Sequence, residues 1–191
     1  MRTLEYLLLA IGAAFLGWCA WTLGESRLYQ NANRSRFSSH ETRTALAASI
    51  PAPTRPPVAD GTAIGRIDIP RIGLSAIIAE GEAESTLRLA VGHIPGTAFP
   101  GDGGNVGLAG HRDTFFRSLA EIRVNDEIRL TGERGVSSLY RVDSTAVVGP
   151  GDVGVLEPGP HASLTLVTCY PFHYLGSAPK RFVVTAARVP I

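Results

Sequence analysis

The chain passes through three regimes of hydrophobic patterning. From Tyr6 to Gly24 the run YLLLAIGAAFLGWCAWTLG carries no charge over about nineteen residues, near the roughly 20 that a helix needs to cross a bilayer core. Trp18 and Trp21 lie toward one end of it, where indole rings favour the membrane interface. The competing reading is a cleaved signal peptide, but the run is longer than the usual signal core and no clean small-x-small site follows it. The pattern predicts an uncleaved anchor over residues 1–24, with residues 4–24 as the membrane contact. Residues 25–59 are polar and helix-compatible at first, then end in IPAPTRPPVADG. Prolines there favour extended, PPII-like chain, so the segment reads as a semi-stiff stalk or as a binding segment for another protein.

From Ala63 the period changes to two. AIGRIDIP alternates apolar and polar residues as a half-buried strand does. LSAIIAEG, GNVGLAGH, DEIRLTG, SLYRVDSTAVVG, SLTLVTC and RFVVTAARV follow as further strands, punctuated by PGTAFPGDGG, EPGPH and LGSAPK. Short helices fit 86–89 and 115–122. The expectation is a mostly β domain over residues 60–191, a small and mainly antiparallel barrel or sandwich with one or two short helices.

Composition changes this picture little. The formal charge is +1 over 191 residues, which gives no reason to expect nucleic acid as a partner. About 130 residues from Asp60 onward suffice for one core. Only Arg2 precedes the apolar run, whereas Arg27, Arg34 and Arg36 follow it. Charge bias alone leans toward a cytoplasmic domain, and the chemistry below argues the reverse. There are two cysteines, Cys19 inside the apolar run and Cys169 outside it, so no disulfide forms within the domain.

Cys169 ends the β-branched run SLTLVTC, and Pro171 stops a strand ladder soon after. Taken alone it reads as a packing residue or as a nucleophile. His111 closes the glycine-flanked strand GNVGLAGH, where an imidazole can accept a thiol proton and later protonate a leaving amine. Arg181 opens the last strand, where a guanidinium can hold a developing oxyanion. Asp113 is a candidate to orient His111, and His173 is the competing base. His93 reads as a turn residue. Glu80, Glu82 and Glu84 alternate in AEGEAEST and read as a solvated acidic loop, with calcium the rival ligand. No zinc-type ligand spacing occurs.

With these residues assembled, the chain resembles the sortases, membrane-anchored cysteine transpeptidases of bacterial surfaces. TLVTC is similar to the family's TLxTC strand end, GHRDTFF to its histidine motif and KRFVV to its arginine strand. The resemblance spans about residues 63–189 and is greatest to class D, with class E next. It implies an eight-stranded sortase-type β-barrel behind an N-terminal transmembrane helix. It implies Cys169 as nucleophile, His111 as general acid/base and Arg181 as oxyanion stabiliser. Thr168, Ala109 and Gly110 fall where the family binds its sorting signal. It further implies cleavage of an LPxTG-like motif through a thioacyl intermediate and transfer to an amine acceptor, a cell-wall peptide or a pilin lysine. No cofactor is implied, since the thioester conserves the energy of the broken amide. The implied location is the cell membrane, single-pass, with the catalytic domain extracytoplasmic. The rival readings are a cysteine transpeptidase of peptidoglycan peptides and a non-catalytic membrane-tethered binding module.

Overall fold

Alternation in the sequence becomes the wall of a barrel. The structure is a computed structural model that describes residues 2–37, 57–133, 135–174 and 176–190. Of the stalk expected over residues 25–59, residues 38–56 lie outside them. Eight strands follow in order: β1 (Ala63–Ile69), β2 (Leu74–Glu80), β3 (Val91–His93), β4 (Asn105–Ala109), β5 (Glu127–Gly132), β6 (Ser137–Val148), β7 (Ser163–Tyr170) and β8 (Lys180–Arg188). They close in the order β1-β2-β3-β4-β7-β8-β6-β5, with β5 returning to β1. Full closure removes the unpaired edges that an open sheet would expose.

Inward positions carry the apolar residues. Leu164 and Leu166 of β7, Val184 and Ala186 of β8, and Val106 and Leu108 of β4 are buried in one core with Ile67, Ile69 and Leu130. Each fully buried Leu or Ile contributes about 1.5–3 kcal/mol. Seven strands lie where the sequence pattern places them, with ends shifted by a residue or two. The eighth, β3, has only three residues, too few to display a period. A short helix α2 (Glu84–Leu89) crosses from β2 to β3 and makes that pair parallel, as β4 and β7 are. The other short helix expected near 115–122 is a 3-10 turn at Arg117–Glu121.

The N-terminal helix α1 runs over Arg2–Arg34, 33 residues, or about 50 Å at 1.5 Å per residue. Leu7, Leu8, Phe15, Leu16, Trp18 and Trp21 stand exposed on it. Among the described residues it is the one helix long and apolar enough to cross a membrane. Its polar end continues past Gly24 and docks on the barrel. The Tyr29 hydroxyl donates to the Gly61 carbonyl at 2.7 Å, and burial raises that phenol above its ordinary pKa. Phe37, just beyond the helix, is buried with Ala63 and Ile77. Gln30 accepts from Ile77 N at 2.8 Å and donates to Leu89 O at 2.9 Å. The β2–β3 ladder begins just beyond, at Ile78, one residue after Ile77, and Val91, two after Leu89. The Gln30 amide thus bridges the place where the two backbones diverge, satisfying groups that would otherwise be left unpaired.

Candidate active site

Strand parity decides which side chains share a surface. In β7, Leu164, Leu166 and Thr168 point into the barrel, so Thr165, Val167 and Cys169 point out. Val167 faces Val183 and Cys169 faces Arg181 across the antiparallel β7–β8 pair. Directly opposed residues project from the same face, so thiol and guanidinium belong to the outer surface at one end of the barrel. β4 lies on the other side of β7, parallel to it, with Ala109 opposite Val167. Gly110 extends that register, donating its N–H to Val167 O at 3.2 Å. His111 follows in the turn, two residues past the last β4–β7 pair, Ala109 with Val167. Arg181 and Cys169 thus pair at one end of β7–β8, where neighbouring strands lie about 4.8 Å apart, and His111 lies just past the same end of β4.

Local sequence holds this junction. The Thr168 hydroxyl, only 2 % exposed as a residue, donates to Gly110 O at 2.7 Å. It ties the cysteine strand to the histidine turn and does not face the outer surface. A Cβ at Gly110 would meet Phe116 ring carbons at 2.8 Å, so only glycine fits without displacement. Phe116 is fully buried, and its N–H donates back to His111 O at 3.0 Å. The aromatic pair in GHRDTFF thus anchors the turn that carries the imidazole. Ala109 is half-buried at the strand end, beside Val167.

Each polar group has a definite neighbourhood. Cys169 is half-buried and free. Arg181 folds over its own turn, donating to Lys180 O at 3.1 Å and Ala178 O at 3.4 Å. The carboxylate near His111 is not Asp113 but Glu84, the first residue of α2, whose Oε1 lies 3.4 Å from Nε2. Asp113 makes no hydrogen bond to the ring, while Arg112 reaches the chain beyond Cys169. His173, the competing base, is exposed on the turn after Phe172. A cavity of about 760 Å³ opens beside these turns, with Arg112, Asp113, Phe115, Glu121, Phe172 and His173 among its walls. Near it, the Arg71 guanidinium hydrogen-bonds Asp126 and holds that carboxyl below the usual carboxylate range.

Two readings of the sequence need correction. His93 is not a turn residue. It is a buried member of β3, with Nδ1 2.8 Å from Glu80 Oε2, Nε2 3.0 Å from Ala98 O, and its ring on Phe99 at 4.6 Å. Glu80 accordingly leaves the solvated acidic loop for the protein interior. The cause is β3 itself, which pairs His93 with Glu80 across the parallel ladder. Among the described residues no three His, Cys, Asp or Glu side chains gather as a metal site.

Comparison with known proteins agrees with this architecture. A model of the sortase domain family matches residues 67–189. Sortase D of Bacillus subtilis (strain 168) is 36 % identical over 130 residues, covering 68 % of this chain and 65 % of that protein. Sortase SrtE1 of Streptomyces coelicolor is 31 % identical over 129 residues, covering 58 % and 37 %. The chain thus spans less than two thirds of the length of these curated relatives. Among solved structures, a sortase D transpeptidase of Clostridium perfringens superposes with a TM-score of 0.68 at 28 % identity, over 87 % of this chain and 99 % of the other. A sortase E variant of Streptomyces avermitilis gives 0.59 at 30 % identity, over 70 % and 91 %.

Proposed function

The chain belongs to the sortase family, and on that premise we propose that it is a membrane-anchored cysteine transpeptidase with Cys169 as nucleophile. The observation that supports this reading is the cross-strand pairing of Cys169 with Arg181, with His111 in the turn just past the end of the adjoining parallel strand. The Cys169 thiolate attacks a backbone carbonyl in an LPxTG-like motif near the C-terminus of a secreted substrate. Arg181 and a backbone N–H hold the resulting oxyanion. To do so Arg181 gives up its bonds to its own turn, one ordinary at 3.1 Å and one long at 3.4 Å. His111 protonates the departing amine, and a thioacyl-enzyme remains. An incoming amine then attacks the thioester while His111 takes its proton, and a new amide forms. Water in the amine's place gives hydrolysis. The thioester conserves the energy of the broken amide, so the cycle needs no cofactor.

Thr168 and Gly110 serve this chemistry by holding β7 against the histidine turn. The peptide lies along the outer face that Ala109 and Val167 share with Cys169. Helix α1 crosses the cell membrane once, and the barrel stands on the extracytoplasmic side. There it meets secreted substrates and an amine acceptor, a cell-wall peptide or a pilin lysine. Arg27, Arg34 and Arg36 follow the span against the usual charge bias, so the orientation is argued from where the substrates are.

The test is intact mass of the full chain in detergent after incubation with an LPxTG peptide, beside Cys169→Ala. The expected result is a mass gain equal to the acyl half of the peptide, absent from the variant. No adduct and no cleavage across related motifs, with hydroxylamine capturing nothing, would overturn the proposal and favour a binding module.

A further inference from the structure

Arg112 follows His111 directly, yet its side chain is committed to the chain that leaves Cys169. Nη1 donates to Pro171 O at 3.0 Å, and Nη2 donates to Tyr174 O at 2.8 Å and Gly176 O at 3.1 Å. The guanidinium carbon also lies 5.8 Å from the Tyr174 ring centroid, within cation–π range. None of these hydrogen bonds goes to a carboxylate. All three acceptors are main-chain carbonyls beyond the β7–β8 ladder, whose last pair is Tyr170 with Lys180. Among the described residues no strand partner serves them there, and charge-assisted bonds from a guanidinium are stronger than neutral ones.

We propose that Arg112 is a positioning residue that ties the turn behind His111 to the turn behind Cys169, fixing imidazole and thiol relative to each other. Elsewhere the two strand ends are joined at this level by the Gly110–Val167 bond and the Thr168–Gly110 bond. Both lie on the barrel side of the reacting groups, and Arg112 closes the far side. A planar fork reaches separated carbonyls at once, whereas a lysine ammonium offers a single point. The catalytic consequence rests on the proposed function, while the tie itself rests on the three hydrogen bonds.

The experiment compares the full chain in detergent with Arg112→Ala and Arg112→Lys. Three readouts are taken: hydrogen exchange at the Gly110 and Phe116 amides, whose bonds to Val167 O and His111 O flank the tie, kcat and KM with the motif peptide, and Tm. In both variants exchange at these amides rises about tenfold or more while β7 amides from Leu164 to Leu166 stay protected. The kcat falls roughly 10- to 100-fold with KM changed less than about threefold, as misplacement by a fraction of an ångström to an ångström produces. Three results would overturn the proposal. They are unchanged exchange in both variants, a KM that rises while kcat holds (a substrate contact instead), and full activity in the lysine variant. A wild-type chain that turns over no motif peptide would sink the proposed function instead, and the exchange readout would still decide whether the tie exists. The lysine variant, which keeps stem and charge, stands in should the alanine variant fail to fold.

Discussion

Gly110 lies where several requirements meet: its N–H continues a ladder, its carbonyl receives Thr168, and its missing side chain admits Phe116. Gly110→Ala should therefore cost about 1–3 kcal/mol through overpacking, and lower turnover too, because His111 is the next residue. Thermal melting and peptide cleavage check this, and an unchanged Tm would contradict it. A second expectation concerns Asp126. The hydrogen bond from Arg71 holds its carboxyl low, so the folded state favours the ionised form. That contribution is fully present above the unfolded value, near 4, and is lost as pH falls through the lower folded value. Asp126→Asn should cost about 1–2 kcal/mol at pH 7, the low end because Arg71 is 38 % exposed. In urea titrations at pH 7 and pH 3 the gap to wild type should narrow at the lower pH, and an equal gap at both would refute the reading. At this scale the sequence reveals Cys169, His111 and Arg181 because each ends a recognisable strand. It hides the contacts of His93, Glu84 and Arg112, whose partners lie on other strands or turns. Thr168 is an intermediate case, since the parity that sends Leu164 and Leu166 inward sends the threonine inward as well.

Among the elements, β2 explains why one feature was legible and another was not. Its stretch Ala76–Ile77–Ile78 loses alternation because both faces are covered: Ala76 and Ile78 by the core, Ile77 by α1. The pattern reveals a strand but not that a helix lies over it, and β3 is too short to leave any pattern. The docking of α1 makes two predictions. Gln30→Ala strands the Ile77 N–H and the Leu89 carbonyl and should cost about 1–3 kcal/mol. Gln30→Glu keeps one acceptor but no donor, so it should fall between wild type and alanine in denaturant midpoint; a glutamate variant as stable as wild type would argue against the Leu89 bond. Phe37→Ala empties the small cluster beside Ile77, for about 3–5 kcal/mol if the whole site is lost at once. Faster amide exchange over residues 25–34, with the barrel protected, would identify that loss as local release of the helix.

For the molecule as a whole, alternation pointed to a small barrel or sandwich and the motif resemblance to eight strands. The parallel β2–β3 and β4–β7 pairings come from connections that no strand pattern displays. The family match begins at residue 67, yet the packed unit includes Tyr29, Gln30 and Phe37. A chain beginning at Glu25 should therefore melt above one beginning at Asp60, by several degrees for each kcal/mol of contact removed; coincident melting would mean that the docked helix adds no stability. The unbroken passage of α1 from its apolar run into the docked segment has a further consequence. Gln30 stands six residues beyond Gly24, about 9 Å along the axis, so on the proposed anchoring the barrel would ride at a set altitude and its reacting groups would patrol a thin layer parallel to the bilayer. A floppy tether would search a volume, whereas such a post would search a plane. Selection among clients would then become a matter of height, with the cleavage motif served when its own spacer lifts it into that layer. Inserting seven helix-forming residues after Gly24 would raise the layer by about 10 Å, and the preferred spacer in a membrane-bound client should lengthen to match.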